Sequence, residues 1–195
     1  MDRQTILDYL SGKINQKRFT HTINTEKAAL MLADLYHVDR DKASTAALLH
    51  DAAKQMSPDE LLQAAREFGI DLTGGYEEAP KLLHGPVAAA MVKRDLGIED
   101  EDILNAISTH TLGGENMTKL QKVVFLADYI EEDRAFAEVR ELRRMVKQDM
   151  DRAMLFAMNK TIELLIRRDQ YIHLQTIRTR NSLLAKLPGM GKGRY

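Results

Sequence analysis

An imidazole and a carboxylate stand side by side, as His50 and Asp51, in the stretch AALLHDAAK from Ala46 to Lys54. The surrounding residues are small or apolar on nearly every face, the pattern of a buried helix. An unpaired carboxylate in such a place costs several kcal/mol, so something must offset its charge. Six histidines occur, at 21, 37, 50, 84, 110 and 173. His21 lies near the start of a long helical stretch, RFTHTINTEKAA, and Asp128 interrupts the apolar run VVFLADYI. Taken singly, each has a plain explanation: a satisfied core or surface histidine, or an aspartate capping a distant helix.

A divalent cation would account for these anomalies together. Two neutral imidazoles, His21 and His50, and two carboxylates, Asp51 and Asp128, would hold it, and it would neutralise the buried acids. Adjacent side chains on a helix diverge by about 100°. His50 and Asp51 therefore cannot stack, but both can reach an ion seated beyond the helix edge. Nitrogen and oxygen donors without sulfur suit iron, manganese, cobalt or zinc.

Other polar groups could serve a phosphate held there. Lys54 follows His50 by one helical turn, and Arg18 precedes His21 by a similar step; a solvated surface base is the alternative for each. His84 stands before Gly85-Pro86 at a helix start, where backbone N–H groups favour an anion. His110 ends a helix, where an ordinary capping role competes; phosphate contact or proton donation is the expected part for both histidines. Thr109 would share that lining. Arg134 could reach a phosphate or base, or pair with Glu131 on the surface. His37 reads as a helix-capping residue only.

Composition narrows the setting. The net charge is −1, from 28 basic and 29 acidic side chains, so no general electrostatic footprint for nucleic acid or membrane surfaces is expected. There is no cysteine, which removes disulfides, zinc–thiolate centres and a thiol nucleophile. The start, MDRQTILDYL, lacks the apolar segment of a secretory signal, and no apolar run approaches the length of a membrane span. A soluble cytoplasmic protein is the simplest expectation.

The positioning elements read as helices throughout. TEKAALMLADLYHV places Ala28, Met31, Leu32 and Leu35 on one stripe. SPDELLQAAREFG carries Ser57 as N-cap, Pro58 at the first helical position, Glu60 to close a capping box and Gly69 at the stop. Thr118 and Gln121 repeat the device before a stripe of Leu120, Val123, Val124 and Ala127. Further helices are predicted around residues 3–10, 87–96, 102–110, 136–145 and 151–168, with no alternating strand. The expectation is one all-α domain over 1–195, a single helical bundle of eight or more helices. Its tail, 186–195, is expected to be mobile.

The ordered set FTH, LLHDAAK and LADYI resembles the HD-domain metal-dependent phosphohydrolases, whose ligands come as His, His-Asp and a distant Asp. Residue by residue these fall on His21, His50, Asp51 and Asp128. The resemblance covers an HD core of roughly 18–134, with C-terminal helices over 136–180. LLHGPVAA, ISTHTLG and LADYIEEDR extend it to the bacterial YqeK family, symmetrical bis(5′-nucleosyl)-tetraphosphatases. That resemblance implies an iron-type centre of one or two ions, with Asp51 bridging in the second case. It also implies cleavage of diadenosine tetraphosphate to two ADP by a metal-activated water. Histidines at positions 84 and 110 then touch phosphates or hold a second metal, with Lys54 and Arg18 stabilising charge. The nucleotide pocket would include Arg134 and, after the last long helix, residues such as Tyr171, His173, Thr176 and Arg178. The implied partners are a dinucleoside tetraphosphate and ADP, with no nucleic-acid polymer and no membrane; a homodimer is compatible.

Three competing readings share these residues. Another HD phosphohydrolase could act on a deoxynucleotide, a nucleoside monophosphate or a guanosine alarmone with the same ligands. A non-catalytic metal or nucleotide sensor would keep the binding groups without turnover. A helical interaction module would use the same histidines and aspartates structurally.

Overall fold

Helix α2, Gln16–Tyr36, is the longest element of the computed structural model, which describes residues 1–187. Asn15 caps its start by accepting the Arg18 N–H, and His37 ends it in the left-handed conformation at φ 54°, the capping role expected of it. Before it lies α1, Arg3–Ser11; after it come α3, Arg40–Leu49, and α4, Pro58–Glu67. A short 3₁₀ turn, Pro80–Leu83, leads into α5, His84–Leu96, and α6, Glu101–Thr109. The remaining helices are α7, Lys119–Ile130; α8, Val139–Met145; α9, Met150–Arg167; and α10, Leu174–Lys186. No strand occurs among the described residues, as the all-α expectation required. The tail expected to be mobile lies, from residue 188 on, outside the described residues.

Helix α7 runs through the centre. Val123, Val124, Phe125, Leu126 and Ala127 are all fully buried, so it is apolar around its whole circumference rather than along one stripe. It packs on α2, α3, α6 and α9. Helix α3 is alanine-rich on its buried side, at Ala43, Ala46 and Ala47, which lets α2, α6 and α7 approach closely. Both predicted capping boxes form, at Ser57/Glu60 and at Thr118/Gln121.

Three boundaries or faces differ from the sequence reading. The buried face of α2 is Ala29, Leu32 and Ala33, while Met31 and Leu35 are 42% and 44% exposed. Polar side chains disguise the inward face: Thr25 donates to the His21 carbonyl, and Glu26 pairs with Arg3 and Ser44. Helix α8 begins at Val139, with Phe136–Glu138 in the preceding turn. The most consequential difference concerns α3. It stops at Leu49, so His50 is its C-cap and Asp51 lies beyond it. From there the chain proceeds by three-residue turns, Ala52 N–H to Leu49 O and Lys54 N–H to Asp51 O. Burial of Ala52 and Ala53 gives these turns the apolar pattern of a helix.

Candidate metal centre

Three histidines reach the centre by one device. His50, His84 and His110 each close a helical segment: α3, the 3₁₀ turn and α6. The last carbonyls of a helix have no intrahelical partner. Each ring uses one, its Nδ1–H donating three residues back, to Ala47 O at 2.6 Å, Lys81 O at 2.6 Å and Ile107 O at 2.8 Å. That bond fixes the tautomer and leaves Nε2 as the inward-facing lone pair. His21 arrives from inside α2, and its Nδ1 is satisfied instead by the Glu131 carboxylate at 3.1 Å.

Asp51 divides these rings into two sets. Its Oδ2 lies 3.3 Å from His50 Nε2 and 3.7 Å from His21 Nε2. Asp128 Oδ1 completes that side, 3.0 Å from His21 Nε2. Asp51 Oδ1 faces the other way, 3.3 Å from His84 Nε2 and 3.6 Å from His110 Nε2. In each trio, His21/His50/Asp51 and Asp51/His84/His110, the donor atoms all lie within 4.8 Å of one another. Gly85 permits the second set. A Cβ there would sit 2.7 Å from the Ser108 carbonyl, so only glycine lets the start of α5 meet the end of α6.

The residues fit divalent cations. His21 Nε2, His50 Nε2 and Asp51 Oδ1 are buried without a hydrogen-bond partner among the described residues, an arrangement proteins avoid unless another group completes it. His84 Nε2 and His110 Nε2 face each other at 2.9 Å. With both Nδ1 protons committed to carbonyls, two lone pairs oppose, which a positive charge between them resolves. The donors are imidazole and carboxylate only, as first-row divalent ions accept.

Cations already crowd the acids. Arg18 Nη1 lies 2.7 Å from Asp51 Oδ2, and Lys54 Nζ 3.6 Å from its Oδ1 and 2.9 Å from His84 Nε2. Arg134 donates to the Asp128 carbonyl at 2.7 Å and to its carboxylate. Burial works against ionisation of Asp51 and Asp128. His50, His110 and His84 around Asp51, and His21 with Arg134 at Asp128, outweigh it and hold both carboxyls well below their usual range. Burial likewise opposes charge on His50, but Asp51 and Asp128 overcome it and raise the ring's pKa. Burial lowers His84, with Lys54 adding to it.

Burial, reinforced by His84 and His50, pushes His110 down to about 4 against the pull of Asp51. The unfolded imidazole titrates near 6.5, so it takes up its proton first as pH falls. The contribution of His110 to stability is thus complete above pH 6.5 and is lost toward pH 4. A shift of this size corresponds to about 3 kcal/mol for a buried ring. Denaturant melts of the metal-free protein and of His110→Gln across that window check this. The variant should fall less steeply by that amount, and equal slopes would count against the assignment.

The site extends into a cavity of about 430 Å³ that begins at Lys54, Thr111 and Asp128 and runs past Tyr129, Arg134, Phe136 and Leu164 to Arg167, the last residue of α9, and Arg168, its C-cap. Of the sequence-predicted residues, the structure brings His21, His50, Asp51, Asp128, Lys54, Arg18, His84, His110 and Arg134 together. It does not bring Thr109, whose hydroxyl donates to Asn105 O inside α6 and accepts from Gln121. Thr111, two residues on, stands there instead, its Oγ1 2.9 Å from His110 Nε2 and 3.1 Å from His84 Nε2. Arg178 lines a different cavity, with Asp71, Thr73, His173 and Gln175, and shares no lining residue with the first. Of the two roles open to Arg134, the pairing with Glu131 does form, Nε to Oε1 at 3.6 Å, but not on the surface, since Glu131 is 3% exposed. Its sequence signal was its place three residues after Asp128. No helix among the described residues is long and apolar enough to cross a membrane.

Comparison with known proteins agrees with this geometry. The HD domain matches residues 18–133. A Halalkalibacterium halodurans protein named as a symmetrical bis(5′-nucleosyl)-tetraphosphatase is 38% identical over 184 residues, covering 94% of this chain and 98% of its own. A Bacillus subtilis protein of the same name is 35% identical, covering 95% and 99%. The crystal structure of a predicted HD superfamily hydrolase involved in NAD metabolism from Clostridium acetobutylicum superposes with a TM-score of 0.93 at 35% identity, covering 96% and 99%. With the two-sided donor set around Asp51 and these likenesses over nearly its whole length, the chain belongs to the HD-domain family, among the relatives named symmetrical bis(5′-nucleosyl)-tetraphosphatases.

Proposed function

We propose that this protein hydrolyses dinucleoside tetraphosphates symmetrically, releasing two ADP from diadenosine tetraphosphate. The observation that carries the reading is the pair of donor sets sharing Asp51 beside a cation-lined cavity. The names of the 38% and 35% identical relatives support the choice of substrate. His21, His50, Asp51 and Asp128 would hold one divalent ion, and Asp51, His84 and His110 a second. Iron is the ion we assign, from the sulfur-free donors and the family resemblance, ahead of manganese, cobalt and zinc. When bound, such ions supply Lewis acidity to phosphate and water.

The chain's own residues do the rest. Arg18 and Arg134 keep Asp51 and Asp128 ionised, and each guanidinium has further N–H groups for phosphate oxygens. Lys54, at the junction of centre and cavity, neutralises charge developing on the departing diphosphate. Symmetric cleavage needs one half of the substrate seated so that its second phosphorus reaches the centre. The cavity has the size class of a small-molecule site, and Tyr129, Phe136 and Leu164 offer apolar faces for a base. All donor atoms come from one chain, so pairing into a homodimer is compatible with the site and not required by it.

The test is a nucleotide panel with products resolved by chromatography, on protein as purified, after chelation and after metal return. Two ADP from diadenosine tetraphosphate, lost on chelation and restored by a divalent ion, is the expected result. AMP with ATP, or turnover of deoxynucleotides or guanosine alarmones instead, would favour a different hydrolase. Tight ADP binding with no turnover would favour a sensor.

A further inference from the structure

His21 differs from the other three rings in how it is held. His50, His84 and His110 borrow carbonyls left over at segment ends, but His21 lies inside α2, where the backbone carbonyls already serve the helix. Its Nδ1–H needs an acceptor from another element, and Glu131 Oε1 at 3.1 Å is that acceptor. A carboxylate in this place also strengthens the ring as a donor through Nε2 more than a neutral carbonyl does.

Glu131 is itself held from several directions, and Arg134 Nε lies 3.6 Å from its Oε1. It is the first residue beyond α7, where the chain leaves the helix at φ −51°, ψ 159°. Its Oε2 accepts the Asp133 N–H at 2.7 Å, and Asp133 in turn accepts from Asn24 on α2 at 2.9 Å. The turn after α7 is gathered by one guanidinium. Arg143 of α8 donates through Nε to Ile130 O at 2.8 Å and through Nη2 to Glu131 O at 2.5 Å. The same Nη2 lies 3.2 Å from Glu132 O and 3.3 Å from Arg134 O. None of these contacts involves His84, His110 or Lys54.

We propose that Glu131, clamped by Arg143, is the positioning residue for His21: it fixes the ring's tautomer and angle and so sets the divalent-metal affinity of the His21/His50/Asp51/Asp128 set, leaving the Asp51/His84/His110 set as it was. The affinity part rests on the metal reading above. The tautomer part does not.

The experiment uses the full chain, freed of metal, with manganese as the probe. Histidine ¹⁵N spectra of the metal-free wild type should show His21 protonated on Nδ1, and Glu131→Ala should release it into a mixture of tautomers. Manganese titration should show one of two sites weakened by about 10–100-fold, the usual cost of losing such an outer partner. Glu131→Gln should keep the tautomer, since its amide oxygen still accepts, and recover most of the affinity. If Glu131→Ala does not fold, Arg143→Lys carries the test. An ammonium cannot span the Ile130 and Glu131 carbonyls as the guanidinium does, so affinity should fall at the same site. Two unchanged manganese sites and an unchanged tautomer in the folded variants would overturn the assignment of Glu131 alone. A wild type that binds no manganese, with His21 still protonated on Nδ1, would overturn the metal reading and the affinity claim with it.

Discussion

Asp51→Asn is expected to leave a folded protein whose turnover is reduced ~10³-fold or more, beyond the 10–100-fold typical of losing an outer partner. The two carboxylate oxygens face different imidazole pairs, Oδ2 toward His21 and His50 and Oδ1 toward His84 and His110. An amide of the same shape keeps one acceptor and turns an N–H₂ toward the other pair, whose lone pairs cannot receive a cation through it. It also removes the negative charge that would balance cations held by the two sets. Elemental analysis should therefore show the metal content falling together with activity. Size is conserved, so the turn after α3 should keep its packing, and circular dichroism should be that of the parent. A variant that turns over within tenfold of the wild type with full metal content would refute the part given to Asp51 in both donor sets. The companion variant His84→Ala should be milder in metal content, losing one ion and keeping the set built on His21.

The candidate ligands were legible because their types clash with their surroundings. A histidine and two aspartates in otherwise apolar stretches demand a partner, for which a cation is the economical choice. The resemblance to the HD-domain order places the set on His21, His50, Asp51 and Asp128. How the backbone presents them was not legible. The apolar pattern runs on through Ala52 and Ala53, which are buried in turns rather than in helix, so the end of α3 at Leu49 leaves no trace in hydrophobic periodicity. Yet that end gives His50 its free carbonyl and turns Asp51 between two sets of rings. On α2 the inward face is partly polar, and its hydrogen bonds to Arg3, Ser44 and its own backbone can be seen only in three dimensions. Thr109 and Thr111 sit on either side of His110, and only the course of the chain past the helix end decides which hydroxyl meets the rings. Glu131 stands in the run IEEDR, where acidic neighbours give the look of a solvated surface.

Lys54 offers the sharpest separation of binding from chemistry. Its Nζ lies 2.9 Å from His84 Nε2 and 3.6 Å from Asp51 Oδ1, and it also lines the cavity. As a cation beside two donor atoms of the second set, it competes with a metal ion for them and cannot be one of its ligands. As a cation at the cavity's inner end, it is placed to meet phosphate charge that grows as the anhydride bond breaks. Lys54→Met should therefore hold the second ion no less tightly than the wild type, while kcat falls about 10²–10³-fold, the loss found when one group that stabilises developing charge is removed. KM should move much less, because the lost contact matters most in the transition state. Steady-state kinetics on diadenosine tetraphosphate, paired with manganese titration of the same preparation, reads both quantities. A Lys54→Met protein that loses the second ion and its activity in parallel would make the lysine a support of the metal set, whereas retained metal with depressed kcat assigns it to the phosphate.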